Sequence, residues 1–410
     1  MPPILLIGFS LRIHMIIPGK EEKNSIFALR YFWFERRGRG LLFQLLVLFG
    51  VASFFGFVTA NTIANLEKAG LTAGFSFLNN QAFFDINQRL ISFSSQSSFG
   101  RALVVGLLNT LLVSSLGIAT ATLLGFLAGI CRLSHNWLLS RAIGVYVEVT
   151  RNVPLLLQII FWWATLTALP RFKDSITFFE VFHLNNRGLR CPAPIFESSF
   201  LWICLLIISG ILLTILLKNW QRRLKARSGR SFPVSLTGFL FIIILPTLLF
   251  FALDRPISWE LPQVTRFNFQ GGFNISPELL ALWIALSTYT GAFISEIVRS
   301  GILSVSPGQV EAARSLGLSR NQTMRLIIMP QAFRVIIPPL TSQYLNLTKN
   351  SSLAIAIGYQ DLVSIGGTIL NQSGHALEIV AIWMVVYLSI SIGTSLFMNW
   401  YNKKISLVER

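Results

Sequence analysis

The sequence predicts an all-α integral membrane protein with about eight transmembrane helices. The chain has 410 residues, of which 53% are hydrophobic and only 12% are charged, about half the charged fraction of a soluble domain. It contains apolar runs long enough to cross a bilayer, and its basic residues lie mostly on one side of those runs. These three observations exclude a disordered chain and a nucleic-acid-binding domain, although Lys and Arg outnumber Asp and Glu by 34 to 17.

Membrane spans are predicted where about 20 largely apolar residues follow one another, because that length crosses ~30 Å of hydrocarbon. The segments that qualify are 41–60, 102–131, 142–168, 198–217, 236–253, 277–298, 332–357 and 376–400. The seventh of them is interrupted by Lys349-Asn350. These runs lack the ~10-residue alternation of a transmembrane β-barrel strand.

The distribution of charge predicts how the spans are oriented. If the chain begins in the cytoplasm and the spans alternate, most of the 34 Lys and Arg residues lie on the cytoplasmic side, as the positive-inside rule requires. Both termini are then cytoplasmic, and the loops 61–100, 169–197 and 254–276 face the outside. The basic loop 218–235 is predicted to anchor this topology and to contact anionic membrane lipid.

Residues that support enzymatic or metal chemistry are not grouped in this sequence. The three cysteines form no disulfide framework, and the four histidines are too scattered for metal-ligand spacing. We therefore predict no catalytic residue, no metal and no cofactor.

The segment after the sixth span predicts two short helices. Pro307 is a suitable first residue for the first helix and Gly317 a suitable stop. The second helix is expected from Arg320 to about Met329, with Pro330 ending it. Two short helices that meet at a glycine would form a small knob on the cytoplasmic face, able to sit in a groove on a partner.

The spacing of residues in this knob resembles the coupling-loop signature of bacterial ABC importer permeases, EAA…G…I-x-L-P. The matching residues are Glu311, Ala312, Ala313, Gly317, Ile327, Met329 and Pro330. Met329 stands where leucine is usual. We refer to residues 306–330 as the coupling segment.

Other segments resemble one branch of this family, the polar amino-acid permeases. They are 105–134, 146–163, 288–302 and 347–363. Residues 74–102 resemble the first outer loop of the long, eight-helix general L-amino-acid permeases. The resemblance runs from about Leu41 to Asn402.

The resemblance implies the type I ABC importer permease core with a cytoplasmic coupling helix. The implied organisation is a cytoplasmic N-terminal segment (1–40), a first span with its outer loop (41–100), the permease transmembrane domain (101–402) and a cytoplasmic tail (403–410). In the coupling segment Glu311 would make the polar contact to the ATPase groove. Ala312 and Ala313 would allow close approach, and Gly317 would permit the turn between the helices.

The chain lacks a G-x-x-x-x-G-K-[ST] phosphate-binding loop, so ATP hydrolysis is expected on separate ATPase subunits and the chain itself is not expected to be an enzyme. The resemblance further implies a periplasmic amino-acid-binding protein, an amino-acid substrate and a second related permease chain. It favours a heterodimer of permeases over a homodimer.

Polar residues at membrane depth are candidates for a substrate pathway, because they are costly in hydrocarbon. The candidates are Asn109, Thr110, Tyr289, Gln343, Lys349 and Asn350. Gln343 and Asn350 lie seven residues apart and can face one cavity. Amides and a cation, without a carboxylate, favour neutral and acidic amino acids. The alternative is that these groups bind one helix to another.

Two other functions remain open from the sequence. An ion-coupled secondary transporter would require carboxylates inside the spans, and clear mid-span acids are missing from the sequence. A non-transporting membrane scaffold would need neither a polar cavity nor the coupling signature. Near the end of the sixth span, Glu296 and Arg299 are three residues apart and are expected to form an ion pair on one helix face.

Overall fold

The computed structural model describes residues 36–68, 74–228, 233–266 and 268–405. By its contacts the chain divides into two units, Met1–Ala73 and Gly74–Arg410. The predicted N-terminal segment therefore lies outside the described residues as far as residue 35, and the predicted tail lies outside them from residue 406.

The described part of the first unit is one long helix, α1 (Arg36–Lys68). Its stretch Leu42–Thr62 has a mean hydropathy of 2.1, and its described side chains are almost all exposed. An apolar helix with this exposure is suited to lipid surroundings.

The described residues of the second unit form the other helices and eight short strands. The helices are α2 (Phe99–Cys131), α3 (Trp137–Asn152), α4 (Leu155–Thr167), α5 (Phe200–Ser228), α6 (Val234–Phe239), α7 (Leu245–Ala252), α8 (Pro277–Leu303), α9 (Pro307–Ser315), α10 (Arg320–Thr323), α11 (Met329–Asn350), α12 (Leu362–Ser373) and α13 (Ala376–Ile405). The strands are β1 (Ile176–Phe178), β2 (Phe182–Asn185), β3 (Gly188–Cys191), β4 (Ala193–Phe196), β5 (Ile257–Glu260), β6 (Gln263–Val264), β7 (Phe269–Gln270) and β8 (Phe273–Ile275).

Six helices among the described residues are long and apolar enough to span a membrane, including α1 and the continuous rod from α6 to α7. Two further pairs are bent: α3 with α4 by 107°, and Arg320–Ile357 with α12 by 52°. The total reaches eight only if each bent pair counts as one span. The protein is thus an all-α membrane protein with six to eight spans.

The 107° bend lies inside the third predicted span, 142–168, which is therefore not one straight helix. Val153 has extended backbone angles (φ −94°, ψ 127°) and precedes Pro154. Proline disfavours the helical conformation in the residue before it, because its ring clashes with that residue's backbone. The Val153-Pro154 pair ends α3 and redirects the chain.

The core is built on close contact between α2 and α8. A Cβ added at Gly125 would lie 2.5 Å from the Cβ of Ile294, and one added at Gly129 would lie 2.8 Å from that of Val298. Small residues let two membrane helices approach closely, and this approach increases van der Waals contact where lipid offers little hydrophobic driving force. The glycines of α2 thus set the spacing of the two central helices.

Two π turns occur directly before prolines in the helices. In the turn Leu240–Ile244 the N–H of Leu245 donates to the oxygen of Leu240, and Pro246 follows. The turn Met324–Ile328 is closed in the same way before Pro330. In an uninterrupted α-helix a proline ring clashes with the carbonyl four residues back, and the wider turn moves that carbonyl away.

The loops 169–197 and 254–276, predicted to face the outside, are joined by antiparallel strands. One sheet has the order β1-β2-β3-β8, and β4 pairs with β5 and β6 with β7. In the first sheet Cys191 pairs with Phe273, and in the second Ala193 pairs with Glu260. The pairings of β3 with β8 and of β4 with β5 therefore connect chain segments on either side of α5 and the α6–α7 rod.

The loop that precedes α2, predicted to face the outside, is bound to the turn before α12. The side-chain amide of Gln360 donates to the oxygen of Asp85 (3.0 Å) and accepts from the N–H of Asn87 (2.8 Å). Beneath these bonds Phe77, Ile86 and other buried side chains form an apolar cluster with α2, α12 and α13. The loop is thus an ordered cap on one end of the helices.

Candidate functional site

The coupling segment is a short helix followed by a tight turn. Helix α9 begins after Ser306 with Pro307 in its first turn, as predicted. At its end the N–H of Gly317 donates to the oxygen of Arg314 (2.9 Å) and that of Leu318 to the oxygen of Ala313 (3.1 Å). This is the Schellman pattern, in which a residue with positive φ closes the helix. Gly317 has φ +74°.

The signature residues of α9 face different ways. Glu311 and Ala312 are exposed, whereas Ala313 is only 2% exposed. Close approach by a partner is therefore open to Ala312 and closed to Ala313. The exposed surface of α9 therefore carries a carboxylate beside a small apolar side chain.

The second short helix differs from its prediction. Ser319 caps α10 in a reciprocal capping box with Gln322, but the helix does not end at Pro330. It continues through the π turn Met324–Ile328 into α11 and runs to Asn350. The prediction that Pro330 stops the helix is wrong, because the π turn accommodates the missing N–H and the ring.

Arg320 connects the coupling segment to the turn between α2 and α3. Its Nη2 lies 2.9 Å from Nε2 of His135. Close by, Glu296 on α8 binds both Arg299, at 2.6 Å, and Arg132 at the end of α2. The pairing of Glu296 with Arg299 was expected; Arg132 was missed because nothing in the sequence spacing brings α2 beside α8.

The pathway candidates do not form one cluster. Asn109 and Thr110 are completely buried. The Asn109 amide donates to the oxygens of Gln88 (2.7 Å) and Gln360 (2.8 Å), and Thr110 Oγ1 accepts from the N–H of Leu362 (3.1 Å). Both side chains therefore hold backbone groups of the outer loop and of the turn before α12.

The other four candidates lie on α8 and α11. Tyr289 is half-buried on α8, and its ring centre is 5.0 Å from that of Phe293. On α11 Gln343 and Asn350 are half-buried and Lys349 is exposed. The two amides separated by seven residues are thus more buried than Lys349.

The open side of α11 carries a polar stripe, of which only Lys349 is among the predicted pathway residues. Ser342, Asn346 and Lys349 are exposed and share one helix face by their spacing of four and three residues. Polar side chains on an exposed face at membrane depth are unsuited to lipid and face a protein or a water-filled path. The spacing of these three polar residues by four and three positions could have indicated the stripe from the sequence.

Comparison with known proteins identifies the family. Residues 210–407 match the family model described as binding-protein-dependent transport system inner membrane component. The chain is 49% identical over 398 residues to the general L-amino acid transport system permease protein AapQ of Rhizobium johnstonii, covering 97% of this chain and 100% of that protein. It is 42% identical over 425 residues to the glutamate/glutamine/aspartate/asparagine transport system permease protein BztB of Rhodobacter capsulatus, covering 96% and 99%.

The chain belongs to this family of binding-protein-dependent permeases. It is a permease subunit of an ABC importer, a multi-pass component of the inner membrane, and not an enzyme; the ATPase is a separate subunit. A solved structure described as an amino acid ABC transporter with histidines resembles the permease with a TM-score of 0.44 and 19% identity, over 75% of this chain and 95% of that one.

Proposed function

We propose that this permease carries polar L-amino acids, delivered by a periplasmic binding protein, through alternating access driven by separate ATPase subunits. The observation that carries the proposal is the coupling segment: Glu311 and Ala312 are exposed on α9, and beyond the turn at Gly317 a second helix runs without a break from Arg320 into α11. A push on this surface would reach α11 through continuous backbone, and α8 through the short link 304–306.

The proposed arrangement places the coupling segment and both termini in the cytoplasm, and the strands and the first outer loop outside. It comprises the N-terminal segment (1–40), the first span and outer loop (41–100), the transmembrane domain (101–402) and the tail (403–410). A second, related permease would complete the complex as a pseudo-two-fold mate, since the polar stripe of α11 is exposed in the single chain.

For coupling we propose specific roles. Glu311 makes a charged contact in the ATPase groove and Ala312 allows that groove to approach. Ala313, Gly317 and Pro330 maintain the shape of the segment: Ala313 by its burial, Gly317 by its positive φ and Pro330 through the π turn that precedes it.

The test of coupling is uptake and ATP hydrolysis by the complex in proteoliposomes. Glu311→Lys should abolish ATP-dependent uptake, because it reverses the charge at the proposed contact. Gln309→Lys is the matched control, since Gln309 is exposed on the same helix two residues earlier. Normal uptake by Glu311→Lys, or uptake driven by an ion gradient without ATP, would contradict the proposal.

For substrate range we propose neutral and acidic amino acids. The exposed stripe of α11 offers hydroxyl, amide and ammonium groups from Ser342, Asn346 and Lys349, and no carboxylate. The names of AapQ and BztB, a general L-amino acid system and one for glutamate, glutamine, aspartate and asparagine, agree with this choice.

The test of substrate range is uptake of labelled glutamate, glutamine, alanine and arginine in a strain that lacks the chain. We expect Lys349→Gln to reduce glutamate uptake more than alanine uptake, because only glutamate carries a second negative charge. Lys218→Gln, an exposed lysine on α5, is the control. Arginine uptake as strongly dependent on the chain as glutamate uptake would argue against the proposed range.

A further inference from the structure

A second polar cavity lies away from the α11 stripe, where α2, α3 and α8 end or begin beside the coupling segment. Its volume is about 530 Å³. The residues that line it are Arg132, Ser134, His135, Trp137, Ser140, Arg141, Gly144, Val145, Glu148 and Arg299. Nothing in the coupling or transport proposal uses this cavity.

Two of the three arginines of the cavity are held in place by a carboxylate outside its lining. Glu296 accepts hydrogen bonds from Arg132 and from Nε and Nη2 of Arg299. The side chains of Arg132 and Arg299 are only 15% and 32% exposed. Because a guanidinium group has five N–H donors, each arginine keeps donors that Glu296 does not use. Their positions are therefore fixed before a ligand arrives.

The charge of the cavity favours one anion of single charge. Three arginines face one carboxylate in the lining, Glu148, and the second carboxylate, Glu296, lies behind them. The cluster keeps one positive charge in excess. Arg141 is exposed and has no ion-pair partner among the described residues. Planar guanidinium groups bind phosphate oxygens in pairs, with a geometry that lysine does not provide.

The side of the cavity toward α3 is apolar and exposed. Trp137 and Leu138, the first residues of α3, are 75% and 69% exposed, and Val145, two turns later, is 49% exposed. Tryptophan is enriched at the level of lipid headgroups, where its ring contacts both the apolar and the polar layer. An apolar strip beside an arginine cluster matches a molecule with an acyl chain and a phosphate.

We propose that this cavity binds the phosphate group of an anionic phospholipid, with Arg132, Arg141 and Arg299 on the phosphate oxygens and the acyl chains along Trp137 and Val145. The site extends beyond the transport function. It contacts the coupling segment through His135 and Arg320, so a bound lipid would stabilise the position of that segment relative to α2 and α3.

The test uses the membrane complex purified through a tag on this chain and placed in nanodiscs of phosphatidylcholine with or without phosphatidylglycerol. Native mass spectrometry measures phosphatidylglycerol retained by the wild type, Arg141→Gln, Arg141→Lys and Arg299→Gln. Lys218→Gln is the control, because it removes one positive charge from an exposed position on α5, outside the cavity.

We expect Arg141→Gln and Arg299→Gln to weaken retention about tenfold, equivalent to ~1.4 kcal/mol. Arg141→Lys should retain less phosphatidylglycerol than the wild type but more than Arg141→Gln, and Lys218→Gln should retain as much as the wild type. Equal retention by the wild type and both glutamine variants would overturn the proposal. So would displacement of phosphatidylglycerol by inorganic phosphate at equal concentration, since the acyl chains would then contribute nothing. Cross-linking of Arg141 to an ATPase subunit would assign the cavity to protein contact instead.

Discussion

Gly317 shows how one residue can determine the shape of the coupling segment. Its φ of +74° lies in the left-handed region, and the space around its Cα is open, with no heavy atom within 4 Å of an added Cβ. A side chain here would meet no neighbour and would still strain the backbone. The requirement for glycine is therefore conformational and not a matter of packing.

The first prediction concerns this strain. Gly317→Ala should destabilise the turn by about 1–2 kcal/mol, so that α9 loses its fixed direction and uptake per ATP hydrolysed falls. Gly308→Ala, in the same helix and without positive φ, should leave coupling unchanged. Uptake and hydrolysis measured together decide the matter, and wild-type coupling in Gly317→Ala would show that the turn tolerates strain.

Cys191 provides a second test at the residue scale, in the strand β3. It is 6% exposed, and burial raises the pKa of its thiol because the charged thiolate loses hydration. The thiolate is the nucleophile, so we expect slow reaction with a maleimide in the folded protein, faster at higher pH. A cysteine introduced at Phe179, which is 89% exposed, should react readily. Equal rates, measured by peptide mass spectrometry, would place Cys191 at the surface.

At the scale of elements, the contact between α2 and α8 depends on residues without side chains. Gly125→Leu should separate the two helices, because an added Cβ already lies 2.5 Å from Ile294. A loss of 1–3 kcal/mol is typical of overpacking. Gly393→Ala, where nothing lies within 4 Å, is the control. The melting temperature of the purified protein measures the effect, and an unchanged value for Gly125→Leu would refute close packing here.

Some elements could be predicted from the sequence better than others. The ends of α9 could be predicted because Pro307 and Gly317 act locally, through their own backbone angles. The bend at Val153-Pro154 could also have been predicted from the proline, but the apolar run continued past it and indicated one span. The strands could not be predicted, because they are two to four residues long and depend on partners far along the chain, such as Ala193 with Glu260.

The pathway residues show the same limit. Spacing along one helix predicted that Gln343 and Asn350 share a face of α11, whereas the exposed polar residues of that helix are Ser342, Asn346 and Lys349. Asn109 and Thr110 were chosen for polarity at depth, and the structure places their polar groups on backbone partners of the outer loop and of Leu362. Burial by another element is a tertiary property, and a single span does not reveal it.

At the scale of the whole molecule, α5 and the α6–α7 rod form a separable insertion. The two pack on each other, with Gly210 against Phe241 and Gly238 against Thr214, and their ends are tied together by the strands β4 and β5. The chain enters and leaves through neighbouring strands, since Cys191 and Phe273 are register partners. An insertion of two spans also leaves the orientation of every other span unchanged.

The last prediction follows from this arrangement. Deleting residues 192–272 and joining Cys191 to Phe273 by a short glycine turn should give a membrane protein that still inserts, because paired Cα atoms lie only about 5 Å apart. A deletion of the same spans that leaves β4 without β5 is the matched comparison and should insert poorly. Protease accessibility of the coupling segment measures membrane insertion. Failure of both deletion variants to insert would show that the insertion is part of the core.

The unbroken backbone from Arg320 to Asn350 has a mechanical consequence. A flexible loop between the coupling segment and α11 would absorb a displacement, whereas a continuous helix transmits both translation and rotation. The π turn adds one residue to this helix. The side chains beyond it are therefore rotated about the helix axis by about 100° relative to an ideal α-helix. A displacement of α10 would therefore reach Asn346 and Lys349 through helix alone, so that their polar stripe would move together with the coupling segment.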